Sequence, residues 1–184
     1  MGRQRNGKYN AKKTETDGIN FASALEGKYY LHLKKLQEAG EVTRFDMQPS
    51  FVLQGGFIDA YGMKHEPIKY VGDFLVYYKD KPPVVIDVKG MTTSVFAIKR
   101  KLYCNMFPLE LVVLGYSKVD GGFVPMEVIK EGRKARKKEK EKLDKEILRY
   151  LLEVNPNITE TAKHFGVTVA RVTKLTNKEA KLNG

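Results

Sequence analysis

Apolar and polar positions change period several times along this chain, and each change marks an element. From Phe21 the spacing is helical: Ala22, Leu25, Tyr29, Leu33 and Leu36 recur at three- and four-residue steps. With Gly40 as a stop signal, this predicts a helix over residues 23 to 39. Val42, Phe45, Phe51, Val52 and Leu53 then stand among turn residues and predict extended structure bent near Pro49, followed by a Gly-rich connection from Gly55 to Pro67. Two strand-like runs, Tyr70 to Tyr78 and Val84 to Val88, flank a Lys79-Asp80-Lys81 turn closed by Pro82 and Pro83, and a hairpin is expected. Hydroxyl side chains after Gly90 cap an expected helix over Val95 to Asn105, and Leu109 to Tyr116 reads as a further buried strand. Helix, strands, helix and strand in that order predict a mixed α/β core with helices flanking a central sheet.

The flanks read differently. Residues 1 to 20 are polar and basic and predict a flexible arm ahead of a core domain over residues 21 to 129. Residues 130 to 142 hold eight basic and three acidic side chains, which marks a linker or a solvated helix and a domain boundary. Residues 143 to 184 are helical in pattern. Within them Ile158 to Val172 resembles a helix-turn-helix: Ala162 allows close helix contact, Gly166 makes the turn and Val172 anchors the second helix. Asn157 or Thr159 caps the first helix and Thr168 the second, so that Thr168, Arg171 and Lys174 face a groove or phosphates. The alternative is a helical hairpin that packs on the core domain or on another subunit.

Composition narrows the partners. A chain of 184 residues has room for one full domain and a short accessory module, and its 42% apolar content is that of a soluble globular protein. No apolar run approaches the roughly 20 residues of a membrane span, and Met1 to Lys13 lacks the apolar centre of a secretory signal, which points to a cytoplasm and to no membrane role. Cys104 is the sole cysteine and His32, His65 and His164 are scattered, so disulfide scaffolds and Cys-rich zinc sites are excluded. The formal charge of +11, from 33 Lys and Arg against 22 Asp and Glu, points to a polyanion, with nucleic acid foremost.

The candidate chemistry lies in the two apolar runs. Asp73 and Asp87 are each embedded in one, and counting back from Tyr78 opposite Pro82 sets Asp73 opposite Asp87. Directly opposed Cβ atoms stand about 4.5–5.5 Å apart and like charges there destabilise the pair. A divalent cation such as Mg²⁺ or Mn²⁺ would offset the repulsion. Lys89, two residues beyond Asp87, falls on the same strand face and brings an ammonium suited to orient water or to neutralise charge on a phosphate. The other reading sends both aspartates to solvent from an edge strand, with Lys89 as a simple ion-pair partner. Glu26 lies beside the apolar stripe of the first helix as a third acidic candidate, but Ser23-Ala24-Leu25-Glu26 also fits a capping box.

These residues resemble the PD-(D/E)XK, or restriction-endonuclease-like, superfamily: an acidic residue on a first helix, an Asp on one strand, and (D/E)-x-Lys on the next. Glu26, Asp73 and Asp87-Val88-Lys89 match in turn. The wider run, from NAKKTETDGINF through SALEGKYYLHL, Gln48-Pro49, YVGDFLVYY and VIDVKG, looks like a family of phage-encoded nucleases in that superfamily, over about residues 9 to 115. Gly72 stands where the motif has proline. The resemblance implies an αβββαβ core and metal-dependent hydrolysis. Asp73, Asp87 and the Val88 carbonyl would hold the metal, Lys89 would serve the water, and Glu26 would take a second metal or its water. It also implies Gln48 near the site and a helix whose Lys99 and Lys101 face the DNA backbone.

The function expected is therefore a Mg²⁺- or Mn²⁺-dependent DNA endonuclease without a small-molecule cofactor. The superfamily includes Holliday-junction resolvases and other structure-specific nucleases of recombination and replication. Junction cutting needs two active sites and hence a homodimer, for which the sequence shows no interface. The rivals are a non-catalytic DNA-binding regulator on a degenerate nuclease scaffold and an RNA-processing protein.

Overall fold

The computed structural model describes residues 14–180. They form a mixed α/β protein with a central five-stranded mixed sheet and five helices, divided into two compact units that meet between Ile129 and Lys130.

The first unit opens with a hairpin, β1 (Thr14–Thr16) and β2 (Ile19–Phe21), paired Thr14 with Phe21 and Thr16 with Ile19. Its two-residue turn is Asp17-Gly18, both at positive φ (51° and 74°), the backbone that a tight hairpin requires and that Asp-Gly adopts at low cost. The expectation of a flexible arm is thus corrected for residues 14 to 20, while residues 1 to 13 lie outside those described. Phe21 is buried and its ring meets Tyr30 at 5.3 Å, which ties the hairpin to the core.

Helix α1 (Ala24–Glu38) is capped by Ser23 and buries Tyr29, Tyr30 and Leu33 on the face that the spacing gave. The central sheet follows, from β3 (Val42–Met47), β8 (Phe74–Tyr78), β9 (Val84–Val88), β10 (Glu110–Ser117) and β11 (Gly122–Pro125), in spatial order β11-β10-β9-β8-β3. Only β9 and β10 run parallel, joined through α2 (Ser94–Met106) with Thr93 as its N-cap. Strand β9 is buried along its whole length, and its alternation divides the layers. Val84, Ile86 and Val88 pack in the α1 core. Val85 packs on the other side with Tyr103 of α2.

Between β3 and β8 the chain leaves the sheet. Strands β4 (Ser50–Gln54) and β7 (Ile68–Val71) make a separate antiparallel ribbon, with a small hairpin, β5 (Phe57–Ile58) and β6 (Lys64–His65), beyond it. The Gly-rich connection therefore has structure of its own, and Asp59 stabilises it by accepting from the amides of Tyr61 and Met63, both at 2.9 Å. The run from Tyr70 to Tyr78, expected as one strand, is two strands in different sheets. The break falls at Gly72-Asp73, where the Gly72 amide donates to Pro49 O at 3.0 Å and the chain passes so close to β9 that a Cβ on Gly72 would lie 2.7 Å from Val85 Cγ1.

The second unit has its own core. Helix α3 runs from Met126 to Glu153 and contains the whole basic stretch of residues 130 to 142. Helices α4 (Ile158–His164) and α5 (Val169–Ala180) follow, with Gly166 at φ 61° between them. Ile147, Leu151, Ala162 and Val172 are buried together, as the spacing of Ala162, Gly166 and Val172 led one to expect.

Replacing Gly72 with Ala puts a methyl group against a fully buried valine. The Gly72→Ala variant should lose about 1–3 kcal/mol of stability by overpacking, read as a lower urea midpoint at unchanged slope.

Candidate active site

Residue pairing across β8 and β9 runs Phe74 with Ile86, Leu75 with Val85 and Val76 with Val84. This is the register that the turn length implied, but the ladder ends there: Asp73 lies in the bend just before β8, its amide donating to Ile86 O at 3.0 Å, near Asp87 but outside the paired strand in which it was expected. Asp87 is 1% exposed, on the same face of β9 as Val85. A carboxylate there must be given partners, because isolated burial of the charge is far costlier than any single contact repays. One partner is the Tyr70 hydroxyl, which donates to Asp87 Oδ2 at 2.6 Å. The other is Lys89, whose Nζ lies 2.5 Å from Asp87 Oδ1 with the side chain 32% exposed. No other partner reaches Oδ1 among the described residues.

Asp73 is less well compensated. Its Oδ2 accepts from the Val88 amide at 2.6 Å, while its backbone is clamped by Asp73 N to Ile86 O at 3.0 Å and Gln48 N to Asp73 O at 2.9 Å. The group that Val88 turns toward Asp73 is thus its N–H. Burial and the neighbouring Asp87 charge push the Asp73 carboxyl up to about 7, with Glu26 adding to the rise against the lowering by Lys89 and the Val88 amide. Lys89 feels the converse: burial lowers it, but the charges of Asp87, Asp73 and Glu26 outweigh burial and hold the ammonium above its ordinary range. Tyr70 is raised by burial and then by Asp87, so it stays a neutral donor.

A cavity of about 250 Å³ opens onto this group, lined by Ile19, Asn20, Phe21, Glu26, Met47, Gln48, Asp73 and Phe74. Glu26 and Gln48 thus share a wall with Asp73, while Asp87 and Lys89 do not line this cavity. Gln48 takes φ 52°, a left-handed backbone that a glutamine seldom adopts, forced by the turn that carries the chain from β3 into the ribbon. Glu26 keeps its link to the helix start in modified form. The Ser23 hydroxyl donates to Glu26 Oε1 at 2.8 Å and accepts from the Glu26 amide at 3.2 Å, so the carboxylate meets the side chain of Ser23 and not its backbone N–H.

Glu26, Asp73, Asp87 and Lys89 are therefore drawn into one electrostatically coupled group, with Gln48 at its edge. Carboxylate oxygens are the hard donors available there, yet among the described residues no three His, Cys, Asp or Glu side chains converge as a ready cage. Tyr70 and Asn20 are members that sequence reasoning missed. The Asp-Gly turn flanked by alternating residues was a readable signal for the hairpin that brings Asn20, whereas nothing in one sequence announces that Tyr70 reaches Asp87. Other expected contacts stand apart from the cavity. Lys99 Nζ donates to Lys69 O at 2.8 Å, and Lys101 is exposed on α2. In the second unit Thr168 Oγ1 accepts from the Arg171 amide at 3.3 Å, and the Arg171 guanidinium binds Asp144 at 2.7 Å, leaving Lys174 exposed.

A family described as "Protein of unknown function (DUF1064)" matches residues 6–121. The chain belongs to the DUF1064 family. The match takes in the β1–β2 hairpin, α1, the ribbon and every member of the acidic group, so the DUF1064 region and the candidate site coincide, while the second unit lies beyond it. No curated protein and no solved structure matches the DUF1064 chain significantly.

Two substitutions should move stability in opposite directions. Tyr70→Phe strips Asp87 Oδ2 of its donor in a buried place and should cost about 1–3 kcal/mol in denaturant unfolding. Asp73→Asn removes a charge whose raised pKa means that stability is present below the ordinary carboxylate value of 3.8 and lost as pH rises through about 7. With chelator present the Asn variant should exceed the parent by more than about 1 kcal/mol near pH 8, and the gain should shrink as pH falls from 7 toward 3.8.

Proposed function

We propose that the chain is a divalent-metal-dependent DNA endonuclease of the PD-(D/E)XK type. The observation that carries the reading is the half-buried Asp73 carboxyl set close to the buried Asp87 carboxylate, raised to about 7 by burial first and by the Asp87 charge second, with the Lys89 ammonium paired to Asp87. The order of elements supports it. With the ribbon set aside as an excursion, α1, β3, β8, β9, α2 and β10 run αβββαβ, with Glu26 on the first helix, Asp73 immediately before the second strand, Asp87 near the end of the third and Lys89 just past it.

Asp73 and Asp87 would hold Mg²⁺ or Mn²⁺, with Glu26 on the cavity side for a second ion or for water; hard carboxylate donors suit these ions, and the strain on Asp73 supplies the reason to bind one. When bound, the cation acidifies water and polarises the phosphodiester. The residues of the chain do the rest. Lys89, held charged by Asp87, lies where it can steady negative charge growing on a phosphate. Tyr70 fixes the Asp87 carboxylate so that its orientation survives substrate binding. Glu26 orients water and takes its proton, and Gln48 offers amide donors at the cavity wall.

The second unit, in this reading, is a helix-turn-helix that adds hold on DNA. With Arg171 committed to Asp144 and Thr168 to the helix cap, Lys174 and the basic face of α3 are left for phosphates, contacts that are blind to sequence.

Incubating plasmid, four-way junction and RNA with Mg²⁺, Mn²⁺ or chelator tests the proposal. Metal-dependent DNA cutting is expected, lowered at least about 100-fold in Asp73→Asn and Lys89→Ala. Mn²⁺ should raise the melting temperature of the parent and not of Asp73→Asn. Retarded bands without cutting in either metal would favour the regulator, and preferential cutting of RNA an RNA-processing role.

A further inference from the structure

On the flank of α1 away from Glu26 the fold gathers basic side chains without an acidic one to answer them. Lys28, His32 and Lys35 follow one another at steps of four and three residues and so share an exposed face of the helix. The β10–β11 hairpin faces them across a pocket of about 420 Å³, with Tyr116, Phe123 and the Gly121-Gly122 step on the far wall. Among the described residues no Asp or Glu lines it. The basic stretch of α3 differs, because its lysines alternate with glutamates and Lys137 meets Glu141 at 3.8 Å.

Rings hold the basic groups of the pocket in place. The Lys28 ammonium lies over the Tyr116 ring, 3.2 Å from its centroid, and the His32 ring stacks on Phe123 at 5.7 Å. Phe123 is itself fixed edge-on by Tyr29 at 4.9 Å and Tyr116 at 5.1 Å. Gly121 and Gly122 both take φ 99°, a backbone that suits glycine, and so leave the rim bare of side chains. The positive potential is felt by the Tyr116 hydroxyl, which Lys28 first and Lys118 after it hold below its ordinary range.

We infer that this pocket seats a phosphate of a nucleic-acid backbone, held by the ammonium groups of Lys28 and Lys35, with a His32 N–H and the Tyr116 hydroxyl as further donors. The inference rests on the nuclease reading for its substrate and on the pocket for its place. A concave wall of one sign concentrates its field on an incoming anion, and the charge that gathers at no gain in the empty chain is answered when a phosphate enters.

The pocket stands at the same end of the sheet as the acidic group. Leu114 O accepts from the Lys89 amide at 2.8 Å, and Tyr116 lies two residues further along the same strand, about 7 Å on. On the helix Lys28 is two residues from Glu26 and thus about 200° round the axis, so roughly the 10–12 Å width of a helix parts the two sites. One DNA strand carries a phosphate for about every 3.4 Å of axis, which sets the seated phosphate about three steps from the cut. The strand therefore crosses the first turns of α1 toward the β10–β11 hairpin. Helix α2, whose Lys99 is already drawn to Lys69 O at 2.8 Å, is not on that path.

Fluorescence anisotropy of a labelled duplex and a labelled four-way junction, with the whole chain in chelator over a range of salt, tests the inference. Lys28→Ala with Lys35→Ala should weaken binding about 10-fold and flatten the slope of log affinity against log salt by about 1–2, at an unchanged circular dichroism spectrum. Lys28→Arg with Lys35→Arg should keep both readings, because a guanidinium also serves phosphate. Lys34→Ala with Lys79→Ala removes equal charge outside the pocket and should change affinity about 2-fold or less. Equal losses in the two alanine variants, or no binding of DNA by the parent, overturn the inference. Calorimetric titration with pyrophosphate separates a free anion from a strand: heat that the pocket variant loses without any DNA defect gives the pocket to small phosphates and overturns the strand path. A pocket defect in a chain that cuts with neither Mg²⁺ nor Mn²⁺ spares the seat and sinks the nuclease, whereas unimpaired binding by the pocket variant of a chain that cuts does the reverse.

Discussion

An aspartate sealed from water beside a second aspartate is the constraint around which the first unit is arranged. Each oxygen of Asp87 is given a partner from a different part of the chain, Lys89 from the end of its own strand and Tyr70 from the ribbon. Tyr70 is in turn held by tilted and stacked rings: Tyr103 at 5.4 Å, and Phe51 at 6.4 Å, which itself meets Tyr103 at 4.9 Å and Phe107 at 5.1 Å. The aromatic layer on that side of the sheet is therefore more than filler, because its apolar contacts fix the one hydroxyl on which a buried charge depends.

The compensation is incomplete by design of the geometry. Asp87 is satisfied, whereas Asp73, one register step beyond the last ladder pair, is left with a single amide and an unfavourable neighbour. A fold selected for stability alone would place an apolar or amide side chain there, and retained strain of this kind concentrates where chemistry is done. The left-handed backbone of Gln48 at the same cavity is a second instance, and both lie where β3 and β8 part company with the ribbon.

How much of this was legible in the sequence depends on the range of the interaction. The helix over Ala24–Glu38, the β8–β9 register that pairs Phe74 with Ile86, and the Ala162, Gly166 and Val172 turn are local patterns, written in spacing and capping residues, and all are found. The break of the Tyr70 to Tyr78 run was not legible, because an uninterrupted apolar stretch looks alike whether it pairs with one sheet or two. What divides it is the close approach of Gly72 to Val85, a contact between residues far apart in the chain. The 14–20 hairpin was overlooked for another reason: its polar threonines resembled an arm, and its burial comes chiefly from Phe21. Arg171 was assigned outward by helical spacing, but Asp144 lies on a helix that precedes it by a whole turn of the fold.

The excursion from Pro49 to Gly72 has a further meaning. It leaves and rejoins the sheet at a pinched base, closed by Gly72 N to Pro49 O at 3.0 Å and Gln48 N to Asp73 O at 2.9 Å. The ribbon just beyond the pinch is tied to the sheet through Tyr70 and Phe51, but changes in the outer β5–β6 hairpin are felt weakly by the strands below it, since lengthening a closed loop adds little entropic cost. The outer hairpin is thus a place where the chain tolerates a change of length or character while the carboxylates beneath keep their spacing, a division of labour between an adaptable appendage and a fixed hearth.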